Sequence, residues 1–290
     1  MENTREFHVV TNKLRAFFLS KGFIEVPAQS RLSILAACED PSTVAHYKLT
    51  GVTWPLPQTG QMWLERELIN NPDWPGVFCS TTSYRDEPNP IPGRHFRIFP
   101  MFEFESKGNM DDLKKLETEI LHYLGFNSPT TVDYETYAFE HGISLIEAEH
   151  EDTMCNTLNQ AILLENFPTR SHPFWNMKYA GNNIFKKVDV ILHGMETIGS
   201  AERSCNPDEM RNFFETVSDG NYAQLLFNKF GKKRVMTELN EYLSLDFHER
   251  FGGGIGVHRM ARAMKLANLL NPVDVSFYGA FKTNVDQLTL

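Results

Sequence analysis

The sequence lacks an excess of positive charge, which argues against a chain whose main work is gripping nucleic acid. Lys and Arg number 28 against 37 Asp and Glu, a formal charge of -9, and no basic stripe breaks the acidic balance. Cysteine is scarce. Cys38, Cys79, Cys155 and Cys205 lie far apart and form no CxxC pair, which argues against a zinc site or a disulfide framework and suits a reducing cytosol. No apolar run approaches the ~20 residues that a bilayer crossing needs. The opening MENTREFHVVTNK has neither the basic nor the apolar region of a secretory signal, so a cytoplasmic protein is expected. There is no repeat, no low-complexity tract and no Ser- or Gly-rich linker. Phenylalanine, in contrast, is plentiful: 22 among 290 residues, enough for a sizeable core in a chain at the upper end for one domain.

Residues 4–20 carry Phe7, Val10, Leu14, Phe17 and Phe18 at helical spacing, with Thr4 as a cap. GFIEV reads as a turn into a strand, and a short helix is expected over 61–69. VFCSTTSYRDE is strand-like, PNPIPG is a stiff turn, and RHFRIFPMFEFES returns as a second strand, predicting an antiparallel hairpin. Its alternation puts Phe102 and Phe104 on one face, Glu103 and Glu105 on the other. MDDLKKLETEILHYL is an amphipathic helix, FKKVDVILHGMETIGSAER reads strand, Gly turn, strand, and helices are expected near 208–216 and 234–244. FGGGIG leads into a last helix, VHRMARAMKLANLL, ended by Asn271-Pro272. Hairpin strands with grouped helices predict an α+β fold around an antiparallel sheet, as regular βαβ alternation is missing.

Three clusters are candidates for chemistry. Arg85 and Glu87, two apart, are read as sharing a face at the end of the first hairpin strand; Arg94, His95 and Arg97 begin the return strand, with Phe99 after them. Cations beside an aromatic ring suit a nucleotide, guanidinium on phosphate and ring on base; a solvated strand with cross-strand ion pairs has the same residues. The glycines from Gly252 to Gly256 enter a helix with Arg259 in its first turn, where a backbone can lie flat against an anionic ligand or simply turn a tight corner. Asp189 and Glu196 flank Gly194, with Arg203 beyond; two carboxylates on neighbouring strands suit Mg²⁺, or an acidic surface.

Taken in order, these segments resemble the class II aminoacyl-tRNA synthetase catalytic core, in its aspartate/asparagine/lysine subgroup and nearest the asparaginyl branch. SYRDE and RHFRIFPMFEFE are similar to the two halves of motif 2, GGGIGVHR to motif 3, and PLPQTGQMWLE, with Gln58, Gln61 and Leu64, to the amino-acid-binding loop. AEHED, around Glu149 and His150, is similar to a further short segment. The likeness runs from about residue 7 to 270 and implies one catalytic domain over 1–290, with no anticodon-binding barrel before it.

The resemblance implies an AMP-forming ligase using ATP and Mg²⁺, in which Arg85 holds the α-phosphate, Glu87 reads the adenine amine, and Phe99 and Arg259 sandwich the ring. Arg94, His95, Gly254 and Gly256 complete the ATP site, and Arg85 and Arg259 carry the catalysis. Asp189 and Glu196 hold the metal; Gln61 meets the amino group of the amino acid and Arg203 its side-chain end. Leu64 stands where aspartyl enzymes place Lys, which leans toward the asparaginyl branch and its core-only asparagine-synthetase-like relatives, acting on aspartate and ammonia. PNPIPG carries nothing basic to meet an acceptor stem, which argues against tRNA as partner. A homodimer is implied, although the motif 1 proline is displaced to Pro27. The alternatives are transfer to tRNA or to a protein, and a non-catalytic paralogue that binds an amino acid.

Overall fold

The computed structural model describes residues 4–37 and 39–270. Helix α1 (Thr4–Ser20) leads to strand β1 (Ile24–Glu25), the hairpin β2 (His46–Leu49) and β3 (Val52–Pro55), and α2 (Gln61–Asn70). Strands β4 (Gly76–Tyr84) and β5 (Ile98–Lys107) precede α3 (Met110–Leu124), β6 (Thr130–Asp133), α4 (Tyr134–His141) and α5 (Ala148–Thr157). Next come β7 (Ala161–Pro168), β8 (Tyr179–Gly181), β9 (Ile184–Leu192) and β10 (Met195–Glu202). Helices α6 (Pro207–Thr216), α7 (Asn221–Phe230) and α8 (Lys232–Leu243) follow, then β11 (Arg250–Gly256) and α9 (Val257–Leu266).

One large sheet runs β1-β4-β5-β11-β10-β9-β7-β6, with β8 paired to β9. Its centre is antiparallel, and the fold is α+β as the sequence predicts. Both edges are parallel pairs, β1 with β4 and β6 with β7, which hairpin reading does not reveal. A parallel neighbour needs a crossover, supplied here by the segments containing α2 and α4–α5. Among the described residues, no helix is long and apolar enough to cross a membrane. Cys79, Cys155 and Cys205 are free thiols.

The phenylalanine alternation on β5 sets which sheet face becomes core. Phe102 and Phe104 are fully buried against Phe18 of α1 and Phe78 of β4, with ring centroids 5.2–5.6 Å apart. Helices α1, α3 and α9 cover this face. Helix α3 starts and stops where its sequence dictates: Asn109 and Asp112 form a capping box, and Gly125 closes the helix in the left-handed region (φ 101°).

The hairpin connection departs from expectation. The strands end at Tyr84 and resume at Ile98, so Arg85, Glu87, Arg94, His95 and Arg97 lie in the 85–97 loop, not on the strands. Three prolines remove backbone donors and forbid a continued ladder; only the bond from Arg85 N to Arg97 O extends it. FGGGIG, which leads into the last helix as expected, is itself the end of a strand, β11. The region between α3 and β7, without a clear periodicity, holds two short helices, and α7 was not foreseen. Asn271-Pro272 lies outside the described residues.

Candidate active site

The sheet face opposite the phenylalanines carries the site, built on the two glutamates of the β5 alternation. Glu103 is buried and accepts the backbone N–H of Gly60 at 2.9 and 2.8 Å, with hydroxyls from Thr59 and Thr81. Burial pushes its carboxyl up to about 7, against those hydrogen bonds. This clamp fixes the start of α2 and therefore Gln61, its first residue. Glu105 accepts from Arg203 Nη2 at 2.5 Å, and the same nitrogen donates to Gln61 Oε1 at 2.9 Å. Four residues further along α2, Glu65 accepts from Arg250 (2.7 Å) and from the Tyr242 hydroxyl (2.7 Å). Burial would raise the Glu65 carboxyl, but Arg250 and Arg203 hold it below the usual carboxylate range. Gln61 and Arg203 are thus held by a buried network that leaves them little freedom.

The glycines of β11 make room for this network. A Cβ on Gly252 would fall inside the Glu105 carboxyl, and one on Gly254 would stand 2.7 Å from Met101 Cε. The backbone approach expected from the sequence is therefore first an accommodation of neighbouring strands. Gly254 and Gly256 also line a cavity of about 740 Å³.

That cavity gathers most of the residues singled out in the sequence. Arg85, Glu87, Arg94, His95 and Phe99 line it from the 85–97 loop and β5, Gln61 and Arg203 from the glutamate side, and Glu196 and Arg259 from β10 and α9. Arg259 donates to the Glu196 carbonyl at 2.8 Å and stands 3.4 Å from its carboxylate. Arg94 pairs with Glu151 of α5 at 2.5 Å, and Arg85 pairs with Glu39 while its guanidinium stands 5.4 Å from the Phe99 ring. His95 Nδ1 is bonded to Glu87 at 2.9 Å. Each of the three cavity-lining arginines Arg85, Arg94 and Arg259 thus already has a carboxylate partner.

Three expected residues do not line the cavity: Gln58, Leu64 and Asp189. Gln58 is buried and ties down the segment after residue 39, bonding Asp40 N and O and the Thr43 hydroxyl. Leu64 is fully buried in a cluster with Val26, Trp63, Leu68 and Val77, because one turn along α2 from Gln61 the helix faces β4. Arg203 and Gln61 form the wall that Leu64 was expected to share.

Asp189 and Glu196 converge across β9 and β10. Gly199 is paired with Asp189, and a Cβ there would be 3.0 Å from Glu196 Oε1 and 3.6 Å from Asp189 Oδ1. Asp189 Oδ1 is buried without a hydrogen-bond partner, and burial lifts this carboxyl to about 7 despite Lys187. Glu196 lies below its usual range: burial is outweighed by Lys187, Arg259, Arg85 and Arg94. An orphaned acceptor beside a second carboxylate, on a face without a side chain, fits a hard divalent cation that draws its other oxygens from a phosphate. Among the described residues no group of three or more His, Cys, Asp or Glu is set to hold a metal alone.

The sequence reading missed three charged residues of the site. Glu151 lies in the AEHED segment, yet it is Glu149 that points outward, with 80% of its side chain exposed, while Glu151 holds Arg94. Helical spacing alone does not say which acid faces inward. Lys187 was visible by parity, two residues before Asp189 on one strand. Glu39 lies in an irregular stretch with no period to place it.

Comparison with known proteins agrees with this fold. The family described as tRNA synthetases class II (D, K and N) matches residues 1–280. Asparaginyl-tRNA synthetase from Pyrococcus horikoshii, complexed with asparaginyl-adenylate, superposes with a TM-score of 0.73 at 18% identity, over 89% of this chain and 64% of that one. The Entamoeba histolytica asparaginyl enzyme, also with asparaginyl-adenylate, gives 0.69 at 16%, over 88% and 62%. A putative aspartyl-tRNA synthetase from Leishmania major gives 0.69 at 15%, over 89% and 61%. The chain therefore spans less than two-thirds of the length of these structures. No curated protein matches it in sequence. On the family match over nearly its whole length, the chain belongs to the class II tRNA synthetases of the aspartate, lysine and asparagine group.

Proposed function

We propose that the chain is an ATP- and Mg²⁺-dependent, AMP-forming ligase that activates aspartate as its adenylate and passes it to ammonia. The observation that carries this reading is the convergence of Arg85 and Arg94 of the 85–97 loop and Arg259 of α9 onto one cavity faced by Gln61 and Arg203. Guanidinium groups suit phosphate oxygens on one side and a carboxylate on the other. That two structural neighbours are complexed with asparaginyl-adenylate supports an aminoacyl-adenylate as the species formed.

In this reading a carboxylate oxygen of aspartate attacks the α-phosphorus of ATP, and the bond to pyrophosphate breaks. Arg85 faces the negative charge that develops there, and Arg259 and Arg94 hold the leaving phosphates. Ammonia then attacks the acyl carbon, the bond to AMP breaks, and the nitrogen loses a proton. For free asparagine to form, the activated carboxylate is the side-chain one, so the α-carboxylate falls to Arg203. Asp189 and Glu196 would hold Mg²⁺, which neutralises phosphate charge when bound. The protein supplies position and charge, with no nucleophile of its own. The implied homodimer belongs to the same proposal: Leu19 of α1 and Ile24 of the edge strand β1 are exposed.

The test is AMP release from ATP, Mg²⁺ and aspartate, with and without ammonium, with asparagine measured beside it. Ammonium-dependent AMP matched by asparagine is expected. Membership of a tRNA synthetase family favours one other acceptor, and AMP turnover that appears only with tRNA would replace ammonia by it.

A further inference from the structure

Lys187 has no part in the chemistry assigned above, yet it sits at its centre. It precedes Asp189 by two on β9 and so shares its face, and it lines the cavity with 19% of its side chain exposed. Its ammonium pairs with Asp189 Oδ2 and stands 3.7 Å from the Phe167 ring centroid, which fixes it from the other side. Asp189 Oδ1 is left without a partner, and Glu196 approaches the same bare face of Gly199. The place where two carboxylates would concentrate charge for a divalent ion therefore already contains a fixed positive charge.

We propose that Lys187 is a resident cation of this site, whose ammonium takes over the work of one divalent ion toward the nucleotide phosphates. The inference rests on the nucleotide reading of the cavity. An ammonium has three donors in a tetrahedral spread, so one can stay on Asp189 while another meets a phosphate oxygen. With Lys187 present, the formal charge of the Asp189–Glu196–Lys187 group is -1 instead of -2, and divalent affinity falls with ligand charge. Two consequences follow. The free protein binds divalent ions weakly, and part of its grip on ATP persists without metal.

The experiment measures Mn²⁺ binding by electron paramagnetic resonance and ATP binding in EDTA by calorimetry, for the wild-type chain, Lys187→Gln and Lys187→Arg. Lys187→Gln keeps a donor to Asp189 but removes the charge. It is expected to bind Mn²⁺ at least tenfold more tightly and to lose at least tenfold in metal-free ATP affinity, with the loss restored by Mn²⁺. Lys187→Arg is expected to match the wild type in both. Equal or weaker Mn²⁺ binding by folded Lys187→Gln overturns the proposal, as does wild-type ATP binding that vanishes in EDTA, a result that needs no variant. If no form of the protein binds ATP with or without Mn²⁺, the nucleotide reading itself falls. If ATP binds normally and only the Mn²⁺ difference is missing, that reading stands and the role of Lys187 alone fails.

Discussion

Replacing Glu117 with Gln is expected to stabilise the protein increasingly as pH rises from about 4.5 to about 8 and to leave it nearly unchanged only below about 4.5. Glu117 projects from α3 into the sheet and is fully buried. It has one partner: the Ser200 hydroxyl, 2.6 Å from Oε1, while Oε2 has none. The same hydroxyl lies 3.0 Å from the Val188 carbonyl and has a single proton to give. An ionised Glu117 and the carbonyl would compete for that proton. A protonated Glu117 instead donates to Ser200, which donates onward to Val188, and both contacts are made. Burial first, then the Asp189 charge, push the carboxyl from 4.5 up to about 8, against the Ser200 hydrogen bond.

A carboxyl raised in this way binds its proton more tightly folded than unfolded. Its stabilising contribution is full below about 4.5 and is lost as pH rises through about 8. At about 1.4 kcal/mol per pH unit, the loss between pH 6 and pH 9 is roughly 2–3 kcal/mol. Gln donates to Ser200 as the protonated acid does and never ionises. Urea unfolding at both pH values should therefore show the variant gaining on the wild type by roughly that amount. A difference between the two proteins that stays constant with pH would refute the assignment of a buried, protonated Glu117.

Three further outcomes are expected. Arg259→Ala should abolish AMP formation while leaving the fold intact by circular dichroism, because the side chain bonds only Glu196 and the Arg94 carbonyl. Tyr242→Phe removes the hydroxyl shared by Glu65, Arg250 and Asn176, and should cost about 1–3 kcal/mol in denaturant unfolding, with a raised KM for the amino acid if the loosened network frees Gln61. Gly252→Ala drives a methyl into the Glu105 carboxyl that holds Arg203, and should lower both thermal stability and amino-acid affinity.

Much of this arrangement was legible from the residues, for reasons that differ by element. The period of 3.6 in 110–124 and the apolar alternation in 98–107 each set out one apolar face, so those elements and the Phe102/Phe104 core were readable directly. That Arg85, Arg94 and Arg259 would share one cavity was readable because order along the chain matched a known motif set. Local pattern failed where long-range packing decides. Leu64 has the residue type of a pocket wall but lies on the face of α2 that meets β4. Likewise, the alternation placed Glu103 and Glu105 opposite the phenylalanines but did not reveal that both are buried anchors. Their partners, Gly60 and Arg203, lie 43 and 98 residues away along the chain, a separation that no window of periodicity spans.

The carboxylates already seated on Arg85, Arg94 and Arg259 change what nucleotide entry means. In a bare basic cleft, a triphosphate displaces loosely held solution anions, and affinity falls steeply with ionic strength. Under the proposed function, incoming phosphates would displace the protein's own Glu39, Glu151 and Glu196, making entry an exchange of ligands within a nearly neutral group. Few mobile ions are released, and ATP affinity should vary little between dilute and concentrated buffer. The exchange also sorts anions by valence. A single carboxylate or phosphate replaces one seated glutamate at no gain, whereas one triphosphate can replace all three together.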